Sequence, residues 1–273
     1  MKTIPIKKRH TPVSVAKGLY QRATKYRFLF EELVKRDFKK KYKRTALGML
    51  WSLCNPLLTL LVMSMVFSHI FGRTVPHYTI YLFSGNLLYS YFREATTVGM
   101  NAFTNNASIF SKVKVPKYLF VLSANISSLI NFLLTLVVYF IFVIADGVPV
   151  TSIFPFLLFP ILCMVVFNTG MAFTLACCNA FYRDTKYLYD VFILLLMYLS
   201  AIFYDVSQFP ADVQRLFLLN PLYVYIKYFR IIVLDGNIPS LMYHGLAVGY
   251  ALLAIVVGAV FYRKFNNRMM YYI

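Results

Sequence analysis

The sequence is poor in the residues from which enzymes build catalytic sites. Only 10 of the 273 residues are Asp or Glu, and the 4 His are scattered. The chain contains no DxD, HExxH or G-x-S-x-G pattern, and no G-x-x-x-x-G-K-[ST] loop that would hold a nucleotide. We therefore expect no catalytic residue, no metal site and no cofactor of its own.

Cysteine is also scarce, and its spacing points to no redox or metal chemistry. The 4 cysteines lie in or beside apolar segments, at Cys54, Cys163, Cys177 and Cys178, and no CxxC pattern occurs. Free cysteine in such surroundings behaves as a small buried apolar residue. The pattern predicts neither disulfides nor metal ligands.

Apolar residues dominate instead. They make up 60% of the chain and its mean hydropathy is +0.64, whereas soluble domains are about 45–50% apolar. A bilayer core of about 30 Å needs roughly 20 helical residues. Six segments meet that length, so we predict an all-α integral membrane protein with six spans. They are approximately 51–71, 79–103, 118–145, 152–178, 187–204 and 241–262.

Positive charge is concentrated before the first span. The net charge is +18, and 15 of the 28 Lys and Arg lie in the first 44 residues. A basic segment beside an apolar span indicates the cytoplasmic side and anionic lipid rather than nucleic acid. With the N-terminus inside, 23 basic residues are cytoplasmic and four are outside. This predicts a plasma-membrane protein with both termini in the cytoplasm.

Two segments outside the spans have unusual patterns. Residues 1–24 are expected to form a flexible basic arm, and 25–43 an amphipathic helix in the membrane interface. That helix has an apolar face of Phe30, Leu33, Val34 and Phe38. It is either a passive anchor or a docking surface for a cytoplasmic partner.

The second unusual segment is 205–239, which is too apolar for an ordinary loop. Pro210, Asn220-Pro221 and Asp235-Gly236 divide it into two short predicted helices, about 211–219 and 222–234. Neither is long enough to span a bilayer. They form either a re-entrant hairpin on the outer side or two helices lying flat in the interface.

Charged residues near the membrane are the remaining candidates for function. Arg93 and Glu94 lie inside the second span, either bonded to neighbouring helices or placed to attract an anionic headgroup. Arg183-Asp184 is expected to form an ion pair that holds a cytoplasmic turn. The loop 105–117 predicts a short helix, either a lever for a soluble motor or a solvated connector.

Four motifs in order resemble the membrane subunit of type-2 ABC exporters, in the branch that exports O-antigen, capsule and wall teichoic acid. The similarity covers about 25–265. The matching residues are Arg36-Asp37, Lys41-Tyr42, Arg44, Leu47-Gly48, Trp51 and Pro56; Ile109-Phe110 through Val115-Pro116; Phe181-Tyr182-Arg183-Asp184; and Asn220-Pro221-Leu222.

The resemblance implies a homodimer of six-span subunits with two copies of a separate ATPase, which would bind the ATP and Mg. It implies export of a polyprenyl-diphosphate-linked glycan, with outer half-helices as a gate. The ATPase-coupling residues would be Phe30, Phe38, Lys112, Lys114, Pro116 and Lys117. The candidate path and gate residues are Arg93, Tyr81, Tyr89, Tyr91, Phe92, Tyr198, Phe203, Tyr204, Tyr223 and Tyr225, whose rings are expected either to stack on sugars or to pack between helices.

Three other functions remain open from the sequence. An exporter of a drug or small lipid would share the same topology. An ion-coupled secondary transporter would show internal repeats and midplane charges, and only Arg93 and Glu94 fit the latter. An enzyme acting on a polyprenyl lipid would need clustered carboxylates or His, and Asp205 and Asp212 form no such cluster.

Overall fold

The computed structural model describes residues 12–42, 47–71, 75–110, 112–113, 115–266 and 268, and this part of the chain is helical with no strand. Ten α-helices are connected by turns and short 3-10 segments. They are α1 Pro12–Tyr42, α2 Trp51–Phe71, α3 Tyr78–Met100, α4 Ala107–Phe110, α5 Tyr118–Ala145, α6 Leu158–Phe181, α7 Thr185–Leu199, α8 Ala211–Phe217, α9 Pro221–Val233 and α10 Leu241–Phe265.

Four helical segments are long and apolar enough to cross a bilayer. They are Gly48–Phe67, Tyr118–Ala145, Phe154–Phe181 and Leu241–Phe265. Helices α8 and α9 together pass the same test but are bent by 106° at their junction, so the described chain has four or five candidate spans. The protein is therefore an all-helical integral membrane protein.

Two of the six predicted spans differ from expectation. Helix α3 has 23 residues, but Arg93 and Glu94 make it less apolar than the other four. Most of its side chains are buried against neighbouring helices, so α3 does not need a lipid-compatible surface. Helix α7 ends at Leu199 after 15 residues, which is a length of about 22 Å. The residues that follow, 200–204, are not helical.

The N-terminal amphipathic helix is longer than predicted. Helix α1 begins at Pro12, inside the segment assigned to a flexible arm, and ends at Tyr42. The predicted apolar face is confirmed, since Leu33 is buried and Phe30, Val34 and Phe38 are half-buried. Leu33 shares an apolar cluster with residues of α4, α5 and α6, so α1 packs on the bundle.

Polar contacts between helix ends show which ends lie together. At one end of the bundle, Lys117 Nζ donates to the Asn266 carbonyl (2.7 Å), and Asn179 Nδ2 donates to the Met100 carbonyl (3.3 Å). At the other end, His77 Nδ1 lies 2.7 Å from Asp146 Oδ2. We call the first the inner end, because it also holds α1, and the second the outer end.

Helices α6 and α10 approach each other closely through glycine. A Cβ built on Gly170 would lie 2.3 Å from the Ala254 carbonyl carbon, and one on Gly258 would lie 2.5 Å from the Gly170 carbonyl oxygen. Ala247, Ala251 and Ala254 continue this small-residue surface along α10. In membranes, small residues allow such close helix contact and let dispersion forces act over a wide area.

The chain is irregular just after α7, at 200–204, and all of these residues except the half-buried Tyr204 are buried. Side chains supply the donors that a helix would otherwise provide. Arg230, which is 3% exposed, donates to the carbonyls of Ala201 (2.8 Å) and Ile202 (3.0 Å). The Tyr78 and Tyr81 hydroxyls donate to the carbonyls of Phe203 (2.8 Å) and Tyr204 (2.6 Å). Non-helical backbone is thus tolerated here because protein groups satisfy it.

The bend between α8 and α9 depends on the Asn220-Pro221 pair. Asn220 caps α9 by accepting a hydrogen bond from the Leu222 N–H (3.0 Å), and Pro221 takes the first helical turn. The Asn220 amide also donates to the Leu199 carbonyl (3.1 Å). Tyr250, about 14 Å along α10 from its outer end, donates to the Leu218 carbonyl (2.7 Å). The bend therefore packs beside the outer half of α10.

Candidate functional site

A polar cleft lies between α2, α3 and α5, beside the end of α1. Its volume is about 350 Å³. Ten of its sixteen described lining residues have amide, aliphatic hydroxyl or charged side chains, which is unusual among such apolar helices. The lining residues are Lys41, Trp51, Ser52, Asn55, Pro56, Thr59, Phe83, Asn86, Leu87, Ser90, Tyr91, Glu94, Ser128, Asn131, Phe132 and Thr135.

Three helices contribute polar side chains at helical spacing. Residues three or four positions apart share one face of a helix, so each helix presents its polar residues to the cleft as a ladder. The ladders are Ser52, Asn55 and Thr59 on α2; Asn86, Ser90 and Glu94 on α3; and Ser128, Asn131 and Thr135 on α5.

Glu94 joins three helices at the inner part of the cleft. Its Oε2 accepts hydrogen bonds from Lys41 Nζ of α1 and from Asn131 Nδ2 of α5, each at 2.8 Å. The carboxylate is partly buried, with 23% of its side chain exposed, so the paired lysine and amide offset the cost of desolvating it. Charge is balanced within the described lining, because Lys41 and Glu94 are its two ionisable charges.

A second polar cavity of about 290 Å³ adjoins the cleft and shares Lys41, Glu94 and Ser128 with it. It extends toward the inner end, where Asp37 pairs with Arg36 (2.7 Å) and accepts a hydrogen bond from Ser123 Oγ (2.9 Å). On α3 the two cavities are lined from Phe83 to Val98, a length of about 22 Å. The polar surface therefore runs along more than half of a bilayer thickness.

Several polar groups in the cleft have no partner. Among the described residues, the side chains of Asn55, Thr59, Asn86 and Ser90 make no hydrogen bond, although all four line the cleft. Asn86 is only 6% exposed. Asn55 and Ser90 are exposed and the amide of Asn86 borders the cleft, so these groups are available to a polar ligand.

Aromatic rings form the apolar part of the lining. Trp51, the single tryptophan of the chain, is 39% exposed at the start of α2. Tyr91 stacks on Phe132 with ring centroids 4.6 Å apart. The cleft thus combines aromatic faces with donors and acceptors, which suits a ligand that has both apolar and hydroxyl surfaces.

Most of the aromatic residues predicted to line a path are instead buried in the core of the chain. Tyr81, Tyr89, Phe92, Phe203, Tyr223 and Tyr225 are each 7% exposed or less. The hydroxyl groups of Tyr89 and Tyr225 donate to the Ile193 (3.0 Å) and Ala247 (2.8 Å) carbonyls. In this structure these rings pack between helices of one chain, which is the alternative that the sequence left open for them. Tyr91 lines the cleft, Tyr204 is half-buried and Tyr198 is exposed.

Arg93 and Glu94 do not pair with each other, as expected for helix neighbours. Glu94 points into the cleft, whereas the exposed Arg93 lies outside its lining and has no ion-pair partner among the described residues. The cleft is thus built around Glu94, and Arg93 faces another environment.

The predicted coupling residues lie at the inner end. The short helix in the 105–117 loop is confirmed as α4, one turn long, and Phe110 anchors it by packing on Phe120 (4.8 Å between centroids). Lys112 is exposed. Burial lowers the pKa of the Lys117 ammonium, which donates to the Asn266 carbonyl. Pro116 is half-buried, and Lys114 lies outside the described residues.

The motif residues around α2 have mainly structural roles. Gly48 has φ +52°, a left-handed conformation that strains other residues, and it lets the chain turn into α2. Pro56 lies inside α2 and lines the cleft together with Trp51. Arg44 lies outside the described residues.

The predicted Arg183–Asp184 ion pair is absent. All 10 acidic residues of the chain are among the described residues, and none pairs with Arg183. Asp184 instead precedes the first turn of α7, where a carboxylate is favoured by the helix dipole. Arg183 lines a polar cavity of about 400 Å³ with Lys186.

The polar ladders were not identified from the sequence, although they left a signal there. Asn86, Ser90 and Glu94 recur every fourth residue within an apolar segment, and Ser128, Asn131 and Thr135 follow at spacings of three and four. Taken alone, a polar residue in an apolar helix is expected to form a hydrogen bond to the backbone of its own helix. Only the packing of α2, α3 and α5 shows that the ladders face one another.

Fold and cleft together define an integral membrane protein whose helices enclose a polar surface. Comparison with known proteins identifies its family. The pattern of ABC-2 type transporters matches residues 29–234, and the chain belongs to this family.

Curated relatives match over most of both chains. The O-antigen export system permease protein RfbA of Klebsiella pneumoniae is 27% identical over 248 residues, which cover 88% of this chain and 94% of the relative. RfbA of Myxococcus xanthus is 25% identical, covering 84% and 87%. The polysialic acid transport protein KpsM of Escherichia coli is 20% identical, covering 88% and 94%.

Proposed function

We propose that this chain is the transmembrane subunit of an ATP-driven exporter that moves a lipid-linked cell-surface polysaccharide out of the cytoplasm across the bacterial plasma membrane. The observation that carries the proposal is the near-full-length similarity to relatives from three organisms, which are named for O-antigen export or polysialic acid transport. The polar cleft supports it, because polar side chains on membrane helices usually face a cavity or a path rather than lipid.

The ATPase is a separate subunit in this proposal, and two copies of it bind a dimer of this chain. Helix α1 and the α4 turn are its docking sites, since both lie at the inner end beside the exposed Lys112. Exposed apolar side chains along α7, such as Leu188, Val191 and Leu195, suit contact with lipid or a second copy.

The inner end faces the cytoplasm in the proposed orientation. Lys112, Lys117, Arg183, Lys186 and Arg263 lie there together with the basic α1, in agreement with the positive-inside rule. Helices α3 and α7 then complete six crossings. Helices α8 and α9 form a re-entrant outer hairpin, which the depth of the Asn220 bend supports.

The direct test is deletion of the gene in its native host. We expect the surface polysaccharide to disappear and a lipid-linked polymer to accumulate inside the cell, with both effects reversed by the wild-type gene. Unchanged surface polymer in the deletion strain would contradict the proposal.

Purification of the tagged chain in mild detergent tests the partners. A P-loop ATPase should co-purify in near-equal amount. Its absence from a preparation that keeps other membrane complexes intact would argue against an ATP-driven exporter.

A further inference from the structure

We propose that the polar cleft is a carbohydrate subsite, which holds hydroxyl-rich sugar residues of the exported polymer against Trp51, Asn86 and Glu94. This inference rests on the proposed function and names the part of the substrate that the cleft binds. The diphosphate and the lipid tail bind elsewhere.

The first argument is that the cleft does not face lipid. Asn55 on α2 and Ser90 on α3 line it and are exposed, although each lies within an otherwise apolar helix. Polar side chains exposed to hydrocarbon would have no hydrogen-bond partner and are avoided there. Their surroundings must therefore be polar.

The second argument comes from Asn86. Asn86 is 6% exposed as a residue and borders the cleft, and its amide makes no hydrogen bond with the described residues. A primary amide offers two donor hydrogens and one acceptor oxygen. Vicinal sugar hydroxyls, each both donor and acceptor, match that arrangement, and the neighbouring hydroxyl of Ser90 extends it by one helical turn.

The third argument is charge. Among the described lining residues, the ionisable charges are Lys41 and Glu94, which are paired at 2.8 Å, so this lining has no net positive charge with which to hold a diphosphate. Phosphate sites usually provide unpaired Arg or Lys, or the N-terminus of a helix. A carboxylate held by Lys41 and Asn131 instead presents acceptor sites that suit sugar hydroxyl donors.

The fourth argument is shape. A volume of about 350 Å³ lies within the usual range for small-molecule sites, about 300–1,000 Å³. Trp51, which is 39% exposed, gives it an aromatic face on which the apolar C–H face of a sugar ring can stack. The adjoining cavity extends the polar surface toward the inner end, from which a chain of sugars would arrive.

Because Trp51 is the single tryptophan and lines the cleft, its fluorescence reports binding without a label. The full chain in lipid nanodiscs is titrated with oligosaccharides released by mild acid from the host's own surface polysaccharide. Inorganic pyrophosphate serves as the anion comparison. We expect a saturable emission change with the oligosaccharides and none with pyrophosphate.

Variants connect the signal to the cleft. Asn86→Leu should weaken the apparent affinity at least tenfold, and Ser90→Ala should weaken it severalfold. Ser64→Ala removes a hydroxyl from α2 outside the cleft lining and should bind like wild type. Ser90 is exposed, so its variant remains informative if Asn86→Leu does not fold.

The outcomes separate the subsite from the exporter function. No saturable signal, equal affinity in all variants, or a response to pyrophosphate alone overturns the subsite. If deletion of the gene nevertheless abolishes export, and Asn86→Leu and Ser90→Ala restore it fully, the exporter function stands without the subsite. If the deletion leaves surface polymer unchanged, the exporter function itself fails.

Discussion

Six backbone carbonyls, from Tyr198 to Tyr204, depend on side chains for their hydrogen bonds. The donors are the hydroxyls of Tyr78, Tyr81 and Tyr204, the amide of Asn220 and the guanidinium of Arg230. Arg230 has several fixed donors and therefore serves two of these carbonyls at once, together with the carbonyl of Tyr81 (3.0 Å). Its ring contact with Tyr81, 3.4 Å from guanidinium carbon to centroid, fixes it further.

Replacing this arginine tests its role. Arg230→Met should leave buried carbonyls without donors and destabilise the protein by about 3 kcal/mol, since each unpaired group costs roughly 1–3 kcal/mol. The measurement is the temperature at which the purified protein loses its monodisperse peak in detergent.

Lys227→Met is the control for the loss of a cation. Lys227 is also on α9, but it is only half-buried and makes no hydrogen bond with the described residues. Equal melting temperatures for the two variants would show that Arg230 does not hold the irregular segment.

At the scale of elements, the α6–α10 pair shows how membrane helices associate without a hydrophobic effect between them. Gly170 and Gly258 let the two backbones touch. The exposed face of α10, which includes Leu252, Leu253 and Val256, is large and apolar and suits lipid. Close packing on one face and lipid contact on the other explain why α10 is apolar all round.

Gly170→Ala should destabilise the protein by about 1–3 kcal/mol, because its Cβ has no room beside Ala254. Gly249→Ala is the matched control on α10, where an added Cβ meets nothing within 4 Å. That change should be neutral or stabilise by up to about 1 kcal/mol through helix propensity. The same detergent melting assay compares them, and a stable Gly170→Ala would mean that the contact is looser than described.

At the scale of the whole molecule, the helix ends are sorted into two groups. The Lys117–Asn266 and Asn179–Met100 contacts hold the inner end, and the His77–Asp146 contact joins the α3 and α5 ends at the outer end. The loops that follow α5 and α9 approach each other near Gly236 and Thr151 (3.7 Å from a built Cβ to Thr151 Cγ2). Any topology must therefore expose these two loops on the same side.

Single cysteines in a cysteine-free background test this arrangement. Ser152→Cys and Asn237→Cys should react with a membrane-impermeant maleimide in intact cells, because both positions are exposed at the outer end. Lys112→Cys and Asp184→Cys should react only after permeabilisation, since they are exposed at the inner end. The reverse pattern would invert the proposed orientation, and mixed labelling within a pair would contradict the fold.

Part of the fold and little of the cleft could be predicted from the sequence. Hydropathy was sufficient for α2, α5, α6 and α10, because lipid-facing helices must be apolar by composition. It was less informative for α3 and α7, since burial relaxes that requirement for α3 and side-chain hydrogen bonds allow α7 to end at Leu199. Most of the aromatic residues predicted to line a path are buried between helices, because residue type does not reveal whether a ring faces its own core.

The sequence by itself determined the membrane environment, the amphipathic α1 and the break at Asn220-Pro221, because hydropathy, helical period and proline geometry act locally. Tertiary structure decided which of the many Tyr and Phe are buried, what satisfies Arg230, and that three polar ladders meet in one cleft. Those outcomes depend on distances between helices far apart in the chain, which local patterns do not specify.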